Sequence, residues 1–347
     1  MSPIPSLLVI LGSTASGKTD LAMRVATARG AEVLSLDSMQ VYRGMNIGTA
    51  KPAPAEQATV CHHGLDLVNP DEMFTVARFV DLADQVIADA AHRGVPLIAT
   101  GGTPLYYKAL FEGLFEGPGA DEAIRTRLRE QSNEELHARL KVVDPGAADR
   151  IHLKDTKRVI RALEVFELTG QPISSFQTAW AAHEQRHQAV WVGLHWDKEA
   201  LNRRINARVK AMLAAGWLEE TRGLIERFGP LVGTAGEATG YQELAEHLAG
   251  RKSLEDAVEL IKIATRQLAR RQMKWFRRFP NVHWIPGERA LEENVADVLN
   301  LWPLAASRSA GSGPAGSGSA TSCAATSQQR ESASGNIGNP LHPLPES

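Results

Sequence analysis

Eight consecutive residues near the N-terminus have the types and spacing of a phosphate-binding loop. The segment Gly12-Ser13-Thr14-Ala15-Ser16-Gly17-Lys18-Thr19 matches G-x-x-x-x-G-K-[ST] at every fixed position, after an apolar run and before a helical pattern. The glycines let backbone N–H groups wrap around phosphate oxygens, Lys18 adds a positive charge, and Thr19 can bind Mg²⁺. The alternative is a glycine-rich turn that happens to precede a helix. The order of strand, loop and helix favours a phosphate-binding site, but it does not indicate which molecule carries the phosphates.

Two more apolar runs end in polar residues that suit the same site. One run ends at Asp37 and the other at Gly101-Gly102-Thr103-Pro104. Asp37 has the position of a Mg²⁺-binding carboxylate in an ATP-using enzyme, but it opens a polar, glycine-containing run to Pro52 that favours a substrate loop. The simpler roles are a turn or helix cap for Asp37 and an N-cap before Pro104 for Thr103. A capping hydroxyl at a helix N-terminus is also well placed to meet an anion.

The order of apolar and helical patterns predicts an α/β fold, a P-loop NTPase-like core with a mostly parallel sheet and a helical insertion domain. Predicted strands are 7–11, 33–36, 95–99, 190–195 and 282–285, and predicted helices include 18–28, 75–93 and 104–112. Alternation of this kind implies a sheet covered on both faces, with ligands at the carboxyl ends of the strands. The predicted domains are 1–117 (core), 118–187 (helical insertion, with a Ser132–Glu135 capping box), 188–305 (core) and 306–347 (disordered Ser/Ala/Gly-rich tail).

The composition excludes several classes of protein. The 347 residues carry 38 Lys and Arg against 40 Asp and Glu, a net charge of −2, which excludes a polycation that coats DNA but not local basic patches. Two cysteines, Cys61 and Cys323, exclude a disulfide scaffold and argue against a zinc site. We therefore interpret Cys61-His62-His63 as a surface loop. No apolar run has the length of a membrane span or the features of a signal peptide, so a cytoplasmic location is expected.

A basic stripe near the C-terminal end of the second core segment predicts RNA binding. The segment 262–278 holds seven basic residues and no acidic one, and a basic residue recurs at every fourth position, at Lys262, Arg266, Arg270, Lys274 and Arg278. This spacing aligns them on one helical face, while Ile261, Ala264, Leu268 and Trp275 fall on another, suited to the core. Charge runs are usually solvated faces, but five like charges in one stripe repel each other without a polyanion. Phosphate contact is the interpretation that we prefer.

Several motifs together resemble one family, the tRNA dimethylallyltransferases (isopentenyl-tRNA or IPP transferases). The resemblance is carried in order by the phosphate loop, by Asp37-Ser-Met-Gln-Val-Tyr-Arg-Gly-Met-Asn-Ile-Gly-Thr-Ala-Lys-Pro52, by Gly101-Gly-Thr-Pro-Leu-Tyr-Tyr107, and by the segments 157–165, 240–241 and 266–275. The run from Asp37 to Pro52 is far more specific than the phosphate loop. Local departures from the family pattern occur at Lys157, Thr239 and Gln242.

The resemblance implies an enzyme that transfers a dimethylallyl group from dimethylallyl diphosphate to the exocyclic amine of the adenosine 3′ of the anticodon. The tRNAs would be those that read codons starting with U, and the insertion would grip their anticodon stem-loop. We expect Mg²⁺ as cofactor, no membrane partner, and a monomer.

The roles expected from this resemblance follow the reaction. Asp37 is the candidate base, Thr103 reaches the bridging or leaving oxygen, and Arg222 lies near the diphosphate; a solvated helix arginine is the alternative for Arg222. The residues expected to bind the diphosphate are Gly12, Ser13, Thr14, Ala15, Ser16, Gly17, Lys18 and Thr19. Those expected to bind tRNA are Asp37, Ser38, Met39, Gln40, Thr103, Arg125, Lys157, Arg158, Val159, Ile160, Arg161, Gly240, Tyr241, Arg266, Arg270, Arg271 and Lys274. Ser38, Met39 and Gln40 would read and stack on a flipped adenine, although Met39 could equally be a packing residue.

Two other functions share some of these features. An ATP-dependent small-molecule kinase would use the phosphate loop, but it leaves the basic stripe and the Gly-Gly-Thr strand end unexplained. A non-catalytic RNA-binding protein with a P-loop is disfavoured by the complete Gly17-Lys18-Thr19 and by Asp37.

Overall fold

A computed structural model of the chain describes residues 6–113, 117–180 and 186–303. The predicted tail, 306–347, lies outside the described residues. Within those residues, no helix has both the length and the apolar composition needed to cross a bilayer.

The described part of the chain contains one six-stranded sheet in which all strand pairs are parallel. The strands are β1 (Leu7–Leu11), β2 (Glu32–Ser35), β3 (His62–His63), β4 (Leu97–Thr100), β5 (Val190–His195) and β6 (His283–Pro286), in the order β3-β2-β4-β1-β5-β6. Successive residues of β1 enter two hydrophobic clusters: Leu7, Val9 and Leu11 one, Leu8 and Ile10 the other. The sheet is therefore covered on both faces, and the predicted α/β class is confirmed.

The described residues form the helices of the core and, between the two core segments, those of a helical insertion. In chain order they are α1 (Lys18–Arg29), α2 (Pro54–Thr59), α3 (Val76–Arg93), α4 (Pro104–Glu112), α5 (Glu122–Arg129), α6 (Asn133–Val143), α7 (Pro145–Arg150), α8 (Thr156–Thr169), α9 (Ile173–Trp180), α10 (Lys198–Ala214), α11 (Trp217–Phe228), α12 (Tyr241–Leu248), α13 (Leu254–Phe276) and α14 (Leu291–Leu301), with a 3-10 helix at Ala235–Glu237.

The interpretation of Cys61-His62-His63 as a surface loop is wrong. His62 and His63 form β3 and pair with Val33 and Leu34 of β2, so this edge strand is partly buried. His63 Nε2 lies 2.8 Å from a Glu32 carboxylate oxygen and 3.6 Å from Cys61 Sγ. Arg93 binds the same carboxylate with two nitrogens, and this bond is the main reason why the pKa of Glu32 is lowered. The Glu32 charge is thus already neutralised by the protein.

The insertion, α5–α9, has a hydrophobic cluster of its own, formed by residues such as Leu128, Leu140 and Leu163. The predicted capping box is present: Ser132 and Glu135 exchange hydrogen bonds at the start of α6. Val159 and Ile160 of α8 are buried in the same cluster. Both were expected to contact tRNA, and the structure corrects this, because apolar side chains inside the core are unavailable to a surface ligand.

Candidate active site

The carboxyl ends of β1, β2 and β4 open into one cavity of about 770 Å³. Its walls come from the phosphate loop, from Asp37–Gln40 after β2, from Gly101–Thr103 after β4, and from one side each of α10 and α13. The approach of two of these segments requires glycine, since a Cβ on Gly101 would lie 2.2 Å from the backbone of Leu36. Sheet topology thus brings together the polar strand ends that the sequence singled out.

The phosphate loop has the backbone shape of an anion cradle. Ala15 and Gly17 both have left-handed backbone angles, with φ of 63° and 88°, and α1 begins immediately afterwards at Lys18. The first N–H groups of a helix lack intrahelical acceptors and face whatever lies before the helix. Ser16 Oγ is buried without a hydrogen-bond partner among the described residues. This combination of open N–H groups and a buried hydroxyl fits phosphate oxygens.

Three distant side chains hold the loop in this shape. Trp196 Nε1 donates to the carbonyl of Ser16 at 2.9 Å, and Arg204 Nε donates to that of Ala15 at 2.9 Å. The Arg204 guanidinium also stacks over the Trp196 ring, 4.4 Å from its centroid. On the other side, Gln272 Oε1 accepts the N–H of Thr14 at 2.8 Å. The Thr14 N–H is therefore engaged with protein, and the donors near α1 are those left for an anion.

Positive charge is concentrated beside the loop. Burial, together with the positive charge of Arg208, lowers the pKa of Lys18 to about 8, and the negative charge of Asp37 opposes the change. Burial also lowers the pKa of Arg208 from its ordinary value. Both side chains line the cavity. Two desolvated cations that repel each other are characteristic of a site built for an anion.

Asp37 and Thr103 are tied to each other through the backbone after β2. Asp37 Oδ1 accepts the N–H of Met39 at 2.9 Å, which leaves Oδ2 above Gly102. Thr103 Oγ1 accepts the N–H of Ser38 at 2.9 Å and donates to Ser38 Oγ at 3.0 Å. Thr103 is the N-cap of α4 by position, but its hydroxyl makes no capping bond and turns to Ser38. The hydroxyl thus lines the cavity at a fixed distance from Asp37–Ser38.

The rest of the run from Asp37 to Pro52 is held by contacts that the sequence did not reveal. One carboxylate, Glu220 of α11, accepts the N–H groups of Asn46, Ile47 and Gly48 at 2.9, 2.7 and 3.1 Å. Gln40 accepts from Ser35 and donates to the carbonyls of Thr49 and Ala50, so its amide is bonded within this loop. Gln40 and Met39 do line the cavity, and Met39 also packs on the main hydrophobic cluster.

Arg222, which was expected near the diphosphate, lies away from the cavity in this structure. It does not line the cavity; its Nε binds Glu219 at 3.1 Å on an exposed part of α11. Arg204 and Arg208 of α10 occupy the place beside the phosphate loop instead. The sequence did contain a signal for these two arginines: they are spaced by one helical turn, which places them on one face of α10.

In the insertion, the basic residues expected to bind tRNA are engaged by acidic groups. Arg125 and Arg161 both bind the fully buried carboxylate of Glu164, at 2.8 and 2.7 Å. The guanidinium of Arg161 also donates to the carbonyl of Pro118. Losing either partner would leave a buried charge poorly compensated, so these two arginines have a structural role.

The other two cations of α8, Lys157 and Arg158, are exposed. Lys157 pairs with Glu237, which itself lines the cavity, and Arg158 pairs with Asp155 at 3.3 Å. Both remain accessible to a ligand.

Gly240 and Tyr241 are also corrected from tRNA contacts to structural residues. Both are buried, and Tyr241 donates its hydroxyl to Glu220 at 2.7 Å. Gly240 has a φ of 99°, and a Cβ there would lie 2.1 Å from the Trp217 ring. The pair thus supports the carboxylate that holds the loop at 46–48.

The basic stripe on α13 is shorter than its spacing predicted. Lys262 is buried and binds Glu259 at 2.6 Å, and Arg266 donates to Asn206 at 2.8 Å. Arg270, Arg271 and Lys274 are exposed. The buried face of α13 also differs from the predicted one. Ala269, Gln272 and Phe276 are buried together with Ile261. Ala264, Leu268 and Trp275, which were expected in the core, are only partly buried.

The donor set of the phosphate loop suits Mg²⁺. This ion prefers oxygen ligands and usually takes one or two from the protein and the rest from phosphates and water. Thr19 lines the cavity in the first turn of α1, beside the buried hydroxyl of Ser16. Its hydroxyl is the protein ligand that the sequence motif predicts.

Comparison with known proteins finds related sequences over most of the chain. Residues 40–279 match the family described as IPP transferase, and residues 5–62 match the family described as isopentenyl transferase. A relative from Geobacter metallireducens, named tRNA dimethylallyltransferase, is 46% identical over 288 residues, which cover 81% of this chain and 93% of the relative.

Two solved structures resemble the fold. A full-length tRNA isopentenylpyrophosphate transferase from Bacillus halodurans has a TM-score of 0.63 at 36% identity, over 85% of this chain and 94% of that protein. A eukaryotic dimethylallyltransferase, described as acting on tRNA, has a TM-score of 0.72 at 26% identity, over 86% of this chain and 80% of that protein.

Proposed function

Because the chain belongs to the IPP transferase family, we propose that it transfers a dimethylallyl group from dimethylallyl diphosphate to a tRNA adenosine. The acceptor is the exocyclic amine of the adenosine 3′ of the anticodon in tRNAs that read codons starting with U. The products are N6-dimethylallyladenosine and diphosphate. We place the enzyme in the cytoplasm, where its tRNA substrate is found, and expect it to act as a monomer.

One observation carries the proposal: the phosphate loop, Asp37 and Thr103 line a single cavity. Group transfer from a diphosphate needs an anion cradle at one end and a proton acceptor at the other. The cavity has cations at the loop and a carboxylate after β2. Its volume of about 770 Å³ lies in the range of small-molecule sites.

At the diphosphate end, the chain stabilises the charge that develops as the carbon–oxygen bond breaks. Lys18, Arg208 and the N–H groups at the start of α1 bind the diphosphate oxygens. Thr103 supports the leaving oxygen from the opposite wall. Thr19 would hold Mg²⁺, which would neutralise part of the same negative charge. Donors that are aimed in advance at developing charge usually contribute more to such catalysis than any other effect.

At the acceptor end, Asp37 removes a proton from the adenine amine as the new carbon–nitrogen bond forms. Its Oδ1 is fixed by the N–H of Met39, so Oδ2 faces the reaction with little rotational freedom. A positioned base of this kind contributes roughly 10²–10⁴-fold to the rate. The adenine leaves the anticodon stack to reach the cavity and lies near Ser38 and Met39.

The exposed cations of α13, Arg270, Arg271 and Lys274, bind tRNA phosphates. They lie on the helix that also presents Thr265, Leu268 and Gln272 to the cavity. The cations lie on the solvent side of this helix, so a tRNA that they bind contacts the helix that forms one wall of the site. Lys157 and Arg158 of the insertion remain accessible for the anticodon stem-loop.

The test is a prenyl-transfer assay with purified protein, Mg²⁺, labelled dimethylallyl diphosphate and an unmodified tRNA with adenosine 3′ of the anticodon. A second tRNA with guanosine at that position is the matched control. Label on the adenosine alone is expected. Absence of label, with phosphate transfer from ATP in a parallel reaction, would replace the proposal by the kinase alternative.

A further inference from the structure

A buried amide that holds the phosphate loop also joins it to a second wall of the cavity. Gln272 of α13 is 4% exposed. Its Oε1 accepts the N–H of Thr14 in the phosphate loop at 2.8 Å, and its Nε2 donates to the carbonyl of Gly102 after β4 at 2.7 Å. The two bonded segments lie 258 and 170 residues away in sequence.

The side chain fits no simple packing role. Gln272 is spaced three residues from Ala269 and four from Phe276, and all three are buried on the same side of α13. An apolar residue would be expected in this stripe. A buried amide is stable there because its carbonyl and one N–H of its amino group are bonded to backbone.

The two bonds connect the groups that must act on one substrate. Thr14 belongs to the loop that cradles the diphosphate, and Gly102 precedes Thr103. A Cβ on Gly102 would lie 2.8 Å from Asp37 Oδ2 and 3.0 Å from Gln272 Nε2, so the amide also sits beside the proposed base. The length of one glutamine side chain thus sets the separation of the two walls.

We propose that Gln272 is a positioning residue that fixes the phosphate loop relative to Thr103 and Asp37 and thereby aligns diphosphate and acceptor. This inference rests on the proposed function. Gln272 acts through Thr14 and Gly102, and it lies on the buried side of α13, whereas the cations proposed to bind tRNA are exposed. Its loss therefore lowers kcat and diphosphate affinity but leaves the KM for tRNA unchanged.

Two substitutions separate the two bonds. Gln272→Met has a similar length and removes both. Gln272→Glu keeps an oxygen for the Thr14 N–H, and it can donate to the Gly102 carbonyl only while its carboxyl group is protonated. Gln267, exposed on the same helix, is the matched control in the forms Gln267→Met and Gln267→Glu.

The experiment measures kcat, the KM for tRNA and the Kd for inorganic pyrophosphate, well below the melting temperature of each variant. For Gln272→Met we expect kcat to fall roughly 10- to 100-fold, as expected when reacting groups are misplaced by a fraction of an ångström to 1 Å. Pyrophosphate binding weakens, and the KM for tRNA stays within twofold. Burial at this position, which is 4% exposed, raises the pKa of a carboxyl group into the range where it titrates above pH 6. The activity of Gln272→Glu relative to wild type therefore falls as pH rises from 6 to 9, whereas that of Gln272→Met is flat.

Two results would overturn the proposal: wild-type kcat and pyrophosphate affinity in Gln272→Met, or a pH-independent ratio for Gln272→Glu. The measurement of pyrophosphate binding does not depend on prenyl transfer. It therefore tests the loop contact even if wild-type protein fails to modify tRNA, which would refute the proposed function separately.

Discussion

Because the charge of Lys18 is desolvated, we expect that a substitution which removes this charge stabilises the folded protein. Without substrate, burial and the nearby Arg208 hold the pKa of Lys18 at about 8, against 10.5 for an ordinary lysine. The protonated side chain makes one long hydrogen bond, 3.4 Å to the carbonyl of Ser13. Lys18→Met keeps most of the aliphatic chain and removes the charge.

The size of the effect follows from the pKa. One pKa unit corresponds to about 1.36 kcal/mol, so a fall from 10.5 to about 8 corresponds to roughly 3 kcal/mol of destabilisation of the folded state. Below pH 8 both folded and unfolded chains carry the proton, and the folded state has the full cost. Between pH 8 and 10.5 the unfolded chain binds more protons than the folded one, so the wild-type free energy of unfolding rises with pH relative to the variant.

The assay is urea unfolding of both proteins without ligand at pH 7 and at a series of values up to pH 10. At pH 7 we expect Lys18→Met to unfold with a free energy about 2–3 kcal/mol higher than wild type. The difference should shrink towards pH 10. Pyrophosphate should stabilise wild type more than the variant, because the variant lacks one of the two cations that pyrophosphate neutralises.

The control is Lys141→Met on the exposed surface of α6. It should show no comparable stabilisation and no pH-dependent difference. A Lys18→Met protein that is less stable than wild type at pH 7, or whose advantage is constant with pH, would show that the buried charge of Lys18 does not destabilise the folded state.

Three other expectations concern catalysis and RNA binding. Asp37→Asn should lower turnover at least about 10²-fold while the Kd for tRNA stays near wild type; near-normal turnover would remove Asp37 from the role of base. Arg208→Met should weaken pyrophosphate binding in calorimetry by about tenfold or more, whereas Arg222→Met should match wild type, and the reverse order would restore Arg222 to the site. Replacing Arg270 and Lys274 by Gln should reduce the slope of log K for tRNA against log salt by roughly 1.4–1.8, and an unchanged slope would make these residues a solvated face.

Local patterns predicted the fold and the family well. The phosphate loop, the apolar strands and the helix starting at Lys18 depend on residues within about ten positions of each other, and β1 and α4 have the predicted bounds. The family resemblance and the α/β class are confirmed. The short strand β3 was missed, because two histidines after a cysteine carry no strand pattern.

Residue roles were harder to predict where the environment decides them. Arg125 and Arg161 have the charge that RNA binding needs, but a buried Glu164 binds both. Lys262 has the correct helical spacing for the basic stripe, but it is buried against Glu259. Spacing specifies a helical face; it does not specify which faces of other elements lie opposite.

By itself, then, the sequence determined what is local: the anion-binding loop, the parallel strands and the polar groups at their carboxyl ends. The tertiary structure decided which distant side chains complete the site. Arg208, Glu220 and Gln272 reach the site and its loops from helices that follow the insertion, because the sheet order places β5 beside β1. Such contacts join segments more than 150 residues apart, and they form only when the sheet and its helices have packed.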